Sequence, residues 1–183
     1  LKIIFRALPF ALLVFLVLGC AGKDVKVVYS AGVLNENGSW VLLPMLNHSN
    51  MPEAGLKAEA MIVTLLRKRL QSELLVYPKK SEATEVLDLN QWRRFNEAKE
   101  WAEKRSVRYG LSGSVQEWRY KRGLEGEPVV AVMLELTDLK NSEVIWSASS
   151  ASVGSFRESV SGVGQQLLSE MLATLEIKNK KKE

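Results

Sequence analysis

Chemistry in this chain would have to come from very few residue types. It holds one Cys (Cys20) and one His (His48), so an internal disulfide is excluded and a Cys/His zinc site cannot be assembled. A nucleophile–base pair would run through His48, whose adjacent hydroxyl is Ser49 in Leu46-Asn47-His48-Ser49-Asn50. Sequence neighbours on a loop rarely reach the geometry of such a pair, and no acid stands ready to orient the ring. A loop-capping or surface His is the expectation. Gly162-Val163-Gly164 falls inside an apolar periodic run, not between a strand and a helix start, which reads as close helix packing rather than a dinucleotide loop. The chain has no Gly-Lys-Thr phosphate loop and no convincing pair of catalytic carboxylates. The expectation is a protein that is not an enzyme, with no catalytic residue and no metal.

Cys20 has a more telling context. Lys2 and Arg6 flank the start of twelve apolar residues, 7–18 (ALPFALLVFLVL). That run is too short to cross a bilayer core of about 30 Å as a helix and suits a secretory signal. It closes as Val17-Leu18-Gly19-Cys20, which resembles the lipobox of bacterial lipoproteins. The resemblance implies removal of residues 1–19 and acylation of Cys20, with no cofactor beyond that covalent lipid. Several acyl chains, at about 0.8 kcal/mol per buried methylene, anchor stably. Ala21 stands where inner-membrane retention would need Asp, which implies the periplasmic face of the outer membrane. Without Lys2 and Arg6 the balance is 23 basic against 21 acidic side chains. The basic excess sits in the tail (Lys178, Lys180, Lys181, Lys182), a solvated end rather than an arm for nucleic acid.

Alternation and helical periodicity place the elements that must follow the anchor. Residues 25–33 form a weak extended segment, and 35–38 a turn through Asn37-Gly38. Residues 39–47 (SWVLLPMLN) read as a strong strand whose internal Pro44 predicts an edge or a strand end. Asn50, Pro52 and Glu53 open a helix over 50–70 that turns Ala58, Met61, Ile62, Leu65 and Leu66 to one face. A short strand at 73–77 precedes a second helix at 91–104, then strands at 107–120, 129–137 and 143–153. The loop 123–128 joins the first two of these. A last helix at 158–175 carries Val160, Val163, Leu167, Met171 and Leu175 on one stripe. A βαβα start followed by a three-stranded antiparallel meander and a C-terminal helix predicts one α/β domain on a mixed sheet. The divisions expected are a leader at 1–19, a lipidated leash with an edge segment at 20–38, the domain at 39–176 and a basic tail at 177–183.

Two residue sets remain for function. Of five Trp, Trp92 and Trp101 read as core anchors of the second helix, and Trp40 and Trp146 as strand residues buried by default. Trp118 and Tyr120 share a strand face and either belong to the core or mark an exposed aromatic patch. Acids cluster around the meander: Glu117, Glu125, Glu127, Glu135, Asp138 and Glu143. One copy is ordinary solvated surface. Repeated around a ring, such acids would focus a negative field on a polycation.

The stretch Trp40-Val-Leu-Leu-Pro44-Met-Leu-Asn47, then Tyr109-Gly-Leu-Ser-Gly113-Ser-Val115, then Thr137-Asp138-Leu139 and Glu143-Val-Ile-Trp146-Ser147 resembles a known group. It is similar to outer-membrane lipoproteins with a fold like the amino-terminal domain of TolB, over about residues 39–175. No long Pro-rich linker follows Cys20 and no room exists for membrane-spanning hairpins, which within that group favours the PelC type. This resemblance implies a subunit of a periplasmic ring beside an outer-membrane β-barrel, assisting export of the cationic exopolysaccharide Pel. It also implies that Trp146 is the membrane-associated aromatic, and that Asp138 with Glu117, Glu125, Glu127 and Glu135 forms an acidic funnel. The alternative within the same fold is a periplasmic activator of a peptidoglycan synthase or another envelope lipoprotein.

Overall fold

A computed structural model describes residues 26–31, 34–35, 38–70, 72–78, 89–123 and 126–178. The leader and Cys20 lie outside these residues. The elements run β1 (Lys26–Ser30), β2 (Leu34–Asn35), β3 (Trp40–Asn47), α1 (Ala54–Arg69), β4 (Leu74–Val76), α2 (Leu89–Glu103), β5 (Tyr109–Tyr120), β6 (Pro128–Asp138), β7 (Glu143–Val153), α3 (Val160–Ala173) and β8 (Ile177–Lys178). Six strands form one mixed sheet in the order β1-β7-β6-β5-β3-β4. β3 is parallel to β4 and β5, and β5, β6, β7 and β1 are antiparallel in turn.

The near-continuous apolar run of β3 follows from burial on both faces. Trp40, Leu42 and Met45 enter the main core under α1 and α3, whereas Val41 and Leu43 meet Ala98 and Ala102 of α2 and Tyr77. Pro44 is tolerated although β3 is flanked by two strands. The pairing with β4 ends at Leu42, and the register with β5 shifts between Leu42 and Met45, so no ladder bond is demanded of its missing N–H. Sheet interior, with a local gap, replaces the expected edge.

The helix ends lie within two residues of the sequence reading except at the start of α1. α1 starts at Ala54, not Asn50, after Glu53 in the left-handed region (φ 60°) with no side-chain cap. Asn47 organises the preceding turn instead: its Oδ1 accepts from the Ser49 N–H (3.0 Å), and its Nδ2 donates to the Met51 carbonyl (2.8 Å). α3 starts conventionally, with the Ser159 hydroxyl accepting the Gly162 N–H at 3.0 Å. Gly164 then lets α3 settle on the sheet, since a Cβ there would lie 2.2 Å from the Trp118 ring. The close-packing role expected of this Gly pair falls to Gly164.

The folded part extends beyond the expected boundaries. β1 pairs with β7 at the sheet edge, and β2 pairs in parallel with β8, so Ile177 and Lys178 of the expected tail are tied into the fold. Leu34 is buried in the main core and Ile177 packs against it. No described helix is long and apolar enough to cross a membrane.

Candidate functional site

The three helices begin at the end of the sheet where β3, β5 and β7 finish, and the most exposed aromatics project there. β5 ends in Tyr120, half exposed, whose hydroxyl accepts the Val160 N–H at 3.4 Å. The loop after β7 is held by Gly154 N–H to the Pro128 carbonyl (2.8 Å) and Ser155 N–H to the Glu158 carboxylate (2.7 Å). That loop presents Phe156 at 58% exposure with the Arg157 guanidinium 5.2 Å from its ring centroid. Arg119, Lys121 and Arg122 are exposed on the same sheet end. An exposed aromatic beside an arginine, at a sheet end that carries further basic residues, is a composition suited to a lipid interface.

Trp146 is elsewhere. β7 alternates so that Trp146 and Ala148 enter the core while Ser149 faces out, and Trp146 is 1% exposed. A side chain sealed in the core has no face to offer a bilayer, which corrects the membrane role expected of it. Trp118 and Tyr120 separate in the same way, Trp118 buried under Gly164 and only Tyr120 exposed. Trp92 is also corrected: it is 56% exposed rather than a core anchor, whereas Trp101 packs edge-on to Tyr77 at 5.7 Å.

The acidic candidates do not converge within one chain. Glu127 just precedes β6 and Asp138 ends it, so about 36 Å of extended chain separates them at ordinary rise. Glu117 pairs with Arg119 (3.3 Å), Glu127 with Lys121 (2.9 Å) and Asp138 with Arg108 (3.2 Å). Asp138 is moreover buried and accepts the Lys140 N–H, a structural use of that carboxylate. The Glu143 carboxylate accepts from Asn141 in the turn and makes no ion pair among the described residues, Glu135 stands mid-sheet, and Glu125 lies outside the described residues. A single funnel-lining cluster is therefore not assembled by the fold of one subunit.

His48 and Ser49 do not pair as base and nucleophile. His48 is exposed, and the Ser49 hydroxyl donates to Asn47 Oδ1 at 2.7 Å. Among the described residues no group of three or more His, Cys, Asp and Glu could hold a metal ion. The charged group the sequence reading passed over is Glu59 of α1, 7% exposed, which takes a two-pronged contact from Arg94 of α2 (2.9 and 3.0 Å) and the Met45 N–H (2.9 Å). It bolts both helices to β3 beside a cavity of about 120 Å³ lined by Met45, Asn47, Gln91 and Arg94 among others. The signal available in the sequence was an acid at 59 and a base at 94, each at the helical spacing of its buried stripe. Phe156 was legible as one aromatic in an otherwise polar loop.

With this geometry in hand, comparison with solved structures is decisive for the family. The chain superposes on the PelC dodecamer from Paraburkholderia phytofirmans with a TM-score of 0.71 and 30% identity, covering 86% of this chain and 100% of that one. The chain belongs to the PelC family. The same fold recurs at 18% identity in lipoprotein GNA1162 from Neisseria meningitidis, with a TM-score of 0.52 over 75% of this chain and 96% of that one. No protein-family model matches, and a search of curated proteins gives no match. The PelC relationship agrees with the mixed sheet and the terminal helix expected from the sequence.

Proposed function

We propose that this chain is a non-enzymatic, lipid-anchored subunit of a closed ring at the periplasmic face of the outer membrane. The ring assists export of a cationic exopolysaccharide of the Pel type through an outer-membrane β-barrel. The observation that carries the reading is the 30% identity over 86% of the chain to a PelC that crystallised as a dodecamer.

Chain direction supports the membrane side. β1 runs antiparallel to β7 with Lys26 opposite Ser149 and Ser30 opposite Trp146, so its start points to the sheet end that carries Phe156 and Tyr120. Five residues lie between Cys20 and Lys26, six steps that reach about 20 Å at full extension. A lipid on Cys20 thus holds that aromatic and basic end toward the bilayer, and Phe156 with Arg157 takes the role first assigned to Trp146. Of the acidic candidates, Glu143 at the β6–β7 turn makes no ion pair among the described residues, so polymer guidance by charge rests on its repetition around the ring.

The test is removal of the coding sequence from its host, with secreted cationic polysaccharide as the readout. Export should fail, return with the native chain and stay absent with Cys20→Ser. Undiminished polymer outside the cell after removal would contradict the proposed role.

A further inference from the structure

The sheet is covered unequally on its two faces. α1 and α3 span one face, packing over β3, β5, β6 and β7. On the other face α2 packs on β3 with Tyr77, Val107 and Leu139, and no described helix covers β6, β7 and β1. Three cross-strand rows make up the part without a described helix over it: Ser112–Glu135–Ser147, Ser114–Met133–Ser149 and Glu117–Ala131–Ala151, with Ser112, Ser114 and Ser147 buried between their larger neighbours. Most side chains on this face are small, and Met133 and Glu135, both half-buried, are the large ones in its middle strand. Glu135 has no hydrogen bond or ion pair among the described residues. A half-buried carboxylate among small side chains offers a negative charge to whatever packs on this face.

The opposite side of the molecule offers the complement. The outward surfaces of α1 and α3 leave a groove of about 340 Å³ lined by Lys57, Ala60, Met61, Thr64 and Leu65 of α1 and Gln165 of α3. The Lys57 ammonium makes no ion pair within the described residues. Because the groove and the bare sheet lie on opposite faces of one layered protomer, they suit a head-to-tail contact, in which two different patches meet and repetition closes a ring. A twelve-membered ring would turn each subunit by about 30° from the last, compatible with patches on nearly opposite sides.

We infer that the bare sheet face of one copy packs into the α1–α3 groove of the next, Met133 against Met61 and Leu65, with Glu135 facing Lys57. The inference rests on the ring reading above and adds to it where the subunits touch. It also withdraws Glu135 from the polymer path and places it between subunits.

The experiment uses the full lipidated protein in detergent, with particle mass as the readout and circular dichroism to confirm folding. Glu135→Lys alone and Lys57→Glu alone each put like charges at the contact and should dissociate the assembly at concentrations where the native protein is fully assembled, a loss of about tenfold or more in affinity. Mixing the two variants restores opposite charge at every contact and should rebuild the particle with alternating subunits. The double variant should assemble by itself. Ala60→Arg, at an exposed helical position, fills the groove without touching the core and should also dissociate it. A native ring that survives Glu135→Lys and Ala60→Arg, or single variants that fail to reassemble on mixing, would overturn the interface and leave the ring reading standing. A native monomer would overturn both.

Discussion

Replacing Arg94 by Ala tests how α2 is held to the domain. The guanidinium and the Glu59 carboxylate meet through two bonds of 2.9 and 3.0 Å, with the side chains only 14% and 7% exposed. Truncating Arg94 leaves a buried carboxylate with one remaining donor, the Met45 N–H. Breaking a buried pair from one side costs about 3–5 kcal/mol. At about 2–4 °C per kcal/mol for a domain of this size, the melting temperature should fall by roughly 6–20 °C. The double change Glu59→Gln with Arg94→Met keeps an acceptor for Met45 and removes both charges, so most of that loss should return. Urea unfolding followed by tryptophan fluorescence reads the free-energy cost, and thermal unfolding reads the melting temperature. A cost below about 1 kcal/mol for Arg94→Ala would mean the pair behaves like a surface ion pair and that apolar contacts alone hold α2.

Two further outcomes follow from the packing and the exposed end. Gly164→Ala should destabilise by about 1–3 kcal/mol despite the better helix propensity of Ala, because the new methyl meets the buried Trp118 ring; Trp118→Leu in the same chain should relieve part of that, and a neutral or stabilising Gly164→Ala in thermal unfolding would refute the contact. In Cys20→Ser protein, where binding depends on side chains, Phe156→Ala with Arg157→Gln should lower flotation with anionic liposomes about tenfold, since burying a Phe contributes roughly 1.5–3 kcal/mol. Trp146→Phe should leave flotation unchanged while lowering the melting temperature, and the reverse pattern would return the membrane role to Trp146.

The elements were legible because each carried a strong local signal. The alternation of β6 and the apolar stripe of α3 dictated their periods, and β7 was bounded by turn residues at both ends. What escaped was set by contacts between distant residues. Trp92 and Arg94 lie two positions apart on α2, and helical spacing does not say which turns inward; the buried Glu59 carboxylate, 35 residues away, draws Arg94 in and leaves Trp92 at the rim. Likewise β2 and β8 are too short to read from two residues each and exist because the chain ends meet across the core. The acids of the meander looked like one patch in sequence, but the length of β6 and three local cations disperse them. Trp146 sat in a motif carried over from relatives, and only the pleat decided which face it took.

The central claim is that the lipidated chain closes into a ring, and the mass of the full lipidated protein in mild detergent tests it most directly. One discrete particle of many subunits is expected, near twelve if the relative's assembly is kept, with no intermediate species at dilution. A single species at the mass of one chain plus its lipids and detergent, across the concentration range, would contradict it.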